Sequence, residues 1–355
     1  MTDLRLGLYP YRLALRRSWR TARGVLHERA GWLVRAESDG AVGCGDCAPL
    51  PEAGTESAGQ AMQRLRHWCE RTGEGIAGLL AALDAESGAA PAADCALETA
   101  LLDLSARREG LPLRRLLAPT ALDRPAVNAM LGAAATLESR AVEVALARGF
   151  RVLKLKLGTG PIAEELRRIQ AAAALLSAGA NLRLDANAAW DADTATACIA
   201  QLAALPIDCL EEPLAIPDDA ALGRLQAAAP FSLALDESLA GRADLDPSRL
   251  PVRRLVLKPA AVGGLRRTLH LAARAQAAGR EVVVTSLVES AAGLWATAQL
   301  AAASGSTLAH GLATADWLMA DLGAPPVIAQ GRIDLPDDAG SGFTPYDGQL
   351  KLPAL

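Results

Sequence analysis

From Pro125 onward, short apolar runs recur along the chain: 127–131, 152–156, 182–185, 209–211, 233–236, 255–258, 282–286 and 307–310. Between them lie Ala/Leu/Arg-rich stretches with apolar residues at helical spacing, such as 162–180 and 265–280. Strand-length runs at intervals of roughly 22–30 residues, each followed by a helical stretch, predict repeated βα units. Eight of them predict a closed parallel barrel. The competing architecture is an open doubly wound sheet. It usually carries a Gly-rich phosphate turn after its first strand, and none is found here.

Ahead of Pro125 the texture changes. Residues 29–51 read as two strands around a Ser38-Asp39-Gly40 turn, then a loop stiffened by Pro49 and Pro51. Residues 95–117 follow a helical period through Ala96, Leu97, Leu101, Leu102 and Leu104, and Gly110 and Pro112 stop the helix. The expected division is an α+β domain over 1–119, a barrel over 120–335, and a turn-rich segment over 336–355. That last segment is expected to leave the barrel and pack back on the first domain.

Composition narrows the classes. The chain has 355 residues, 51% hydrophobic and 21% charged, with a net charge of −4. This is the balance of a globular protein with a full core. No basic excess points to nucleic acid. The stretch between Glu289 and Asp316 carries no Asp, Glu, Lys or Arg, but Gln299, Ser304, Ser306, Thr307 and His310 interrupt it. It reads as buried protein, so no membrane partner is expected. The arginine-studded N-terminus has no signal-peptide pattern. The six cysteines are expected to be free thiols in a reducing cytoplasm, with Cys44-x-x-Cys47 structural. His27, His67, His270 and His310 show no metal-ligand spacing, and His310 reads as a satisfied barrel residue. The sequence sets no oligomeric state.

Strand side chains alternate between faces, so parity assigns direction. Leu153, Leu155, Leu182, Leu184, Leu210, Leu233, Leu235, Leu255 and Leu257 take the face toward the outer helices. Lys154, Lys156, Arg183, Asp185, Glu211, Asp236 and Lys258 take the face toward the barrel axis. A single inward charge is commonly just one half of a salt bridge. Charges at five consecutive strand ends, where parallel barrels build their active sites, point to chemistry. Asp185, Glu211 and Asp236 form a hard-oxygen set suited to Mg²⁺, with Mn²⁺ also possible. The partner is then a small-molecule carboxylate whose α-proton is removed as the cation stabilises the enediolate. Lys154 is expected to crowd Lys156 and favour its basic form. Arg183 either pairs with the carboxylates or touches substrate.

In order, Lys-x-Lys, Asp-x-Asn, Glu-Glu-Pro, Asp-Glu-Ser and Lys-Pro resemble the enolase superfamily in its muconate-lactonizing branch. The likeness covers nearly the whole chain. It implies an α/β fold: a (β/α)7β TIM-like barrel with an N-terminal α+β capping domain whose early loops cover substrate. It implies metal ligands Asp185, Glu211 and Asp236, acid/base lysines Lys156 and Lys258, and supporting or substrate-binding roles for Lys154, Arg183, Asn187, Glu237 and Ser286. Four stretches are similar to the o-succinylbenzoate synthase family: 20–24 with 28–32, Leu182–Trp190, Thr285–Ser290 with Gly293, and Gly311–Asp316 with Met319. Thr285-Ser286, Ala291-Ala292 and Asp46 depart from that family's usual residues.

That resemblance implies a Mg²⁺-dependent dehydration of 2-succinyl-6-hydroxy-2,4-cyclohexadiene-1-carboxylate to 2-succinylbenzoate, a step of menaquinone biosynthesis. The rivals within the superfamily are N-succinylamino acid racemase, dipeptide epimerase and a lactonising cycloisomerase. Dipeptide epimerases typically carry an Asp-x-Asp pair after the eighth strand. Here that segment reads Leu312-Ala313-Thr314-Ala315-Asp316. A rival outside enzymology is a metal-binding barrel that no longer catalyses.

Overall fold

The computed structural model describes residues 3–21, 24–86, 88–239 and 245–347. Three antiparallel strands open the chain: β1 (Arg5–Thr21), β2 (Gly24–Ser38) and β3 (Ala41–Cys47). The expected turn is a two-residue connection. Asp39 and Gly40 take φ of 51° and 75°, the left-handed pair that matches the twist of a hairpin. Three helices follow: α1 (Ala58–Cys69), α2 (Gly75–Ala85) and α3 (Pro91–Glu109). Ser57 and Gln60 close a reciprocal capping box on α1. Gly110, at φ 69°, ends α3 where the sequence predicted. The helix α3 lies directly on β3. A Cβ on Gly45 would sit 1.9 Å from the Ala96 carbonyl oxygen, so only glycine permits that approach.

The short helix α4 (Leu113–Leu117) leads into the barrel. Its strands are β4 (Ala129–Ala133), β5 (Val152–Lys156), β6 (Asn181–Asp185), β7 (Ile207–Glu211), β8 (Ser232–Leu235), β9 (Arg254–Leu257) and β10 (Glu281–Val284). They pair in chain order as one parallel sheet. The intervening helices are α5 (Ser139–Ala147), α6 (Ile162–Ala174), α7 (Ala192–Leu202), α8 (Asp219–Ala228), α9 (Pro259–Val262), α10 (Leu265–Ala277) and α11 (Ala291–Ala303).

The eighth run, expected over 307–310, is reduced to two bridges. His310 pairs with Val127, and Gly311 pairs with Thr285, which closes the ring between β4 and β10. His310 is fully buried. Its Nδ1 accepts the Val284 N–H at 3.0 Å, and Nε2 lies 3.3 Å from the Ser306 carbonyl. Burial pushes its pKa down to about 4, so the ring is neutral.

The parity assignment matches the observed packing. All nine leucines assigned outward sit in the largest apolar core, between the sheet and its helices. A second core fills the space between α1, α2, α3 and the antiparallel sheet. After the hairpin β11 (Ile328–Ala329) and β12 (Arg332–Ile333), the tail returns to α3. Gly340 exchanges backbone bonds with Leu111 and Leu113, and Ser341 N–H donates to Asp103. Residues 348–355 of that segment lie outside the described residues, as do Ala22 and Arg23 of the 20–24 stretch. No helix among the described residues is long and apolar enough to cross a membrane.

Candidate active site

One rim of the barrel gathers Lys154 and Lys156 from β5, Asp185 from β6 and Glu211 from β7. Asp236 and Lys258 follow directly after β8 and β9. The two proposed acid/base lysines stand on the second and sixth strands of an eight-membered ring, and so on opposite sides. Lys154 donates to Glu211, and its Nζ lies 2.9 Å from Asp185 Oδ2. Lys156 donates to Asn187 Oδ1 at 2.7 Å and lies 3.7 Å from Asp185. Lys258 Nζ lies 2.6 Å from Asp236 Oδ1 and donates to Glu237 at 3.1 Å.

These contacts set the charges. Burial pulls the Lys154 ammonium down, but Asp185, Glu211 and Asp236 overcome it and hold it well above its usual value. Lys154 therefore serves the carboxylates, where the sequence placed it as a neighbour crowding Lys156. Burial raises Asp185, and the attraction of Lys154 and Lys156 outweighs it, so the carboxylate is held well below its usual range. For Lys258 burial again opposes charge, and Asp236 and Glu237 prevail and raise it.

A cavity of about 240 Å³ opens above this rim. Its floor includes Lys154, Lys156, Asp185, Asn187, Asp236, Glu237 and Lys258. The first domain contributes Val25, Leu26, Leu50, Glu52 and Ala53, and the end of β10 contributes Thr285 to Val288. On the eighth-strand side the wall is Gly311, Thr314 and Trp317. Asp316 is exposed there, 4.0 Å from Arg148. Ser286 lines the cavity, shares a 2.8 Å hydrogen bond with Thr314, and accepts the Val288 N–H.

Arg183 does not reach this cavity. It points to the barrel axis as parity requires, but one layer lower. Its Nε donates to Asp208 at 2.8 Å, and its NH1 group donates to Asn128 and to the Ala309 carbonyl. Arg254 binds the same Asp208, and also Glu281, which accepts from Ser232. A small apolar layer of Cys209, Ala234 and Val256 lies at the intermediate depth. Asp208 is the extra residue of a bulge between β6 and β7, which aims it inward beside Cys209.

Two positioning carboxylates escaped the sequence reading. Glu165 on α6 accepts from the backbone N–H groups of Gly158, Thr159 and Gly160, fixing the loop that follows Lys156. Glu212 accepts from the Asp236 and Ser238 N–H groups and from the Ser238 hydroxyl, fixing the segment that presents Asp236. The Glu-Glu-Pro motif marks Glu212 in the sequence; nothing in the sequence marks Glu165. Four of the six non-glycine residues with positive φ among those described stand at this rim: Asn187, Ala188, Glu212 and Val288. Strained backbone of this kind persists only where surrounding contacts hold it.

The set can hold a divalent cation by its donor chemistry. Asp185, Glu211 and Asp236 offer hard oxygens from three adjacent strands. Burial and the adjacent Glu237 press the Asp236 carboxyl upward, a strain that a cation relieves. Among the described residues these side chains do not already converge into a cation cage; the ammonium of Lys154 sits between two of them.

The family described as "Enolase C-terminal domain-like" matches residues 136–348, and "MenC, N-terminal domain" matches residues 4–101. A hydrophobic dipeptide epimerase of Roseobacter litoralis is 30% identical over 294 residues, 80% of this chain and 83% of that one. A chloromuconate cycloisomerase of Cupriavidus pinatubonensis is 30% identical over 271 residues, 73% of this chain and 71% of that one. A dipeptide epimerase of Enterococcus faecalis, solved with Mg and the dipeptide L-Leu-L-Tyr, superposes with a TM-score of 0.85 at 24% identity, covering 96% of this chain and 99% of that one.

Proposed function

This chain belongs to the enolase superfamily, in its muconate-lactonizing branch, and on that premise we propose that it is a Mg²⁺-dependent o-succinylbenzoate synthase. Its substrate would be 2-succinyl-6-hydroxy-2,4-cyclohexadiene-1-carboxylate. The observation that carries this reading is the cavity wall on the eighth-strand side. Dipeptide epimerases typically hold the substrate ammonium on an Asp-x-Asp pair there, and this wall offers Thr314 and Trp317 while Asp316 turns to solvent. The match of residues 4–101 to a MenC N-terminal domain supports the same choice, because that region supplies Leu26, Leu50 and Ala53 to the cavity.

A divalent cation held by Asp185, Glu211 and Asp236 would supply positive charge to the substrate carboxylate as its α-proton leaves. Lys156 takes that proton, forming an enediolate. Asn187 and Asp185 fix the Lys156 head group from below. Lys258 stays an ammonium, braced by Asp236 and Glu237, and stabilises the anion from the opposite side. The ring C–O bond then breaks. The departing hydroxide takes the proton back from Lys156 and leaves as water, and the ring becomes aromatic. One base suffices, with the Lys258 ammonium stabilising the anion.

The second reading is epimerisation or racemisation, of dipeptides or N-succinyl amino acids, with Lys156 and Lys258 as a two-base pair. The 30% identity to a dipeptide epimerase across 80% of the chain favours it. One assay separates the two. Purified protein with Mg²⁺ is mixed with the cyclohexadiene carboxylate, and loss of diene absorbance is followed. Fast loss that vanishes in Lys156→Ala is the expected result. No turnover, together with α-deuterium exchange into dipeptides or N-succinyl amino acids, would replace the first reading by the second.

A further inference from the structure

Val288 lines the cavity with φ of 60°, a left-handed backbone that a β-branched residue adopts only under constraint. Two hydrogen bonds impose it. Its N–H donates to Ser286 Oγ at 2.9 Å, and its carbonyl accepts from Arg29 Nε at 3.1 Å. Arg29 belongs to β2 in the first domain and is 2% exposed. Its two remaining nitrogens donate to the Ala48 and Pro49 carbonyls. Those residues lead directly into Leu50 and Ala53, which line the cavity opposite the catalytic floor. One planar guanidinium thus holds two stretches of cavity wall from two domains. Asp46 fastens the same seam: its Oδ2 accepts both the N–H and the hydroxyl of Ser290 at 2.7 Å.

We propose that Arg29 is a positioning residue for substrate selection: it fixes the apolar wall of Val288, Leu50 and Ala53 against which the part of the substrate remote from the carboxylates packs. The inference rests on the reading that this cavity binds the substrate. Arg29 touches no reacting group, so it governs KM and the choice among substrates while leaving the proton-transfer step alone. A lysine cannot replace it, because an ammonium lacks the flat fork that reaches three carbonyls at once.

The test compares Arg29→Lys in three backgrounds: Val288, Val288→Ala and Val288→Gly. Alanine and glycine both remove the valine side chain, but only glycine takes φ of 60° without strain. With Val288 or alanine, Arg29→Lys should raise KM by about tenfold with kcat within about threefold. With glycine the KM effect should fall to about threefold, the part that comes through Ala48 and Pro49 to Leu50 and Ala53, the non-additivity expected of coupled residues. The readout is the turnover of the cyclohexadiene carboxylate or, if the wild type is inert to it, α-deuterium exchange into N-succinyl amino acids. An inert wild type overturns the synthase reading alone. A wild type active on either substrate, with an Arg29→Lys effect on kcat alone or equal in all three backgrounds, overturns the role of Arg29. If Arg29→Lys does not fold, or no substrate turns over, thermal unfolding decides. Val288→Gly should melt above Val288→Ala, and an equal or lower melting temperature overturns the imposed strain on which the proposal stands.

Discussion

Two charged layers are stacked along the barrel axis, and they look alike in the sequence. The upper one is Lys154, Lys156, Asp185, Glu211, Asp236 and Lys258, and the lower one is Arg183, Asp208, Arg254 and Glu281. Both arise from inward positions on the barrel strands, and Asp208 joins the lower one through its bulge. The lower layer is closed: Asp208 is shared by two guanidinium groups, and Arg183 also reaches Asn128 and a backbone carbonyl. The upper layer opens into a cavity. Inward charge alone therefore does not mark a site. Depth along the strand does, because the inward positions nearest the ends of the strands face the cavity.

The largest effect should come from the upper layer. Lys156→Ala should lower turnover by about 10³-fold or more, with circular dichroism and melting temperature little changed. A folded Lys156→Ala protein that keeps its activity would make the upper layer as structural as the lower. Next, chelation should remove several kcal/mol of charge stabilisation, seen as at least a hundredfold drop in rate that Mg²⁺ restores. Activity indifferent to chelator would remove the cation from the upper layer.

The lower layer should answer in the opposite currency. Arg254→Met leaves Asp208 and Glu281 short of a partner and should cost about 3–5 kcal/mol of stability, read as a lower melting temperature. The kcat of the folded fraction should stay within about threefold. A collapse of kcat at unchanged stability would join the two layers into one site.

The smallest effect lies outside both layers. Burial raises Asp321 to about 6 although it accepts the Ala291 and Leu322 N–H groups. An acid held neutral in the fold contributes stability that is complete below its usual 3.8 and lost as pH rises through about 6. Asp185 and Asp208, both lowered, titrate below that window. Asp321→Asn should flatten the fall of melting temperature between pH 4 and 6. An unchanged slope would assign that window to other buried acids.

Much of the architecture was legible because period-two alternation survives in short buried strands. The leucine face and the charged face both followed from parity, and Gly110 ended its helix as expected. The depth of Arg183 was not legible, since parity gives direction and not height. The bulge at Asp208 was invisible, because one inserted residue leaves no mark in an apolar run. The eighth strand was overestimated: its pairing is two bridges, and the rest of 307–310 is held by side chains such as Ser306, whose hydroxyl donates to the Val282 carbonyl. Arg29 and Glu165 were missed because their partners are backbone groups, which every sequence possesses.

The closing pair, His310 and Gly311, has a consequence for how the ring is assembled. The seven long strands pair in the order in which they leave the ribosome, so each new strand finds its neighbour already made. Until residue 310 emerges, the product is a curved sheet with two raw edges, at β4 and β10, each able to recruit a strand from another chain. The His310 backbone that meets Val127 is made late in the barrel, and the low pKa of its imidazole keeps that ring uncharged through mild acid. A hoop fastened by its last-made part has no early checkpoint. A chain interrupted before His310 should aggregate, whereas one ended shortly after it already carries the clasp.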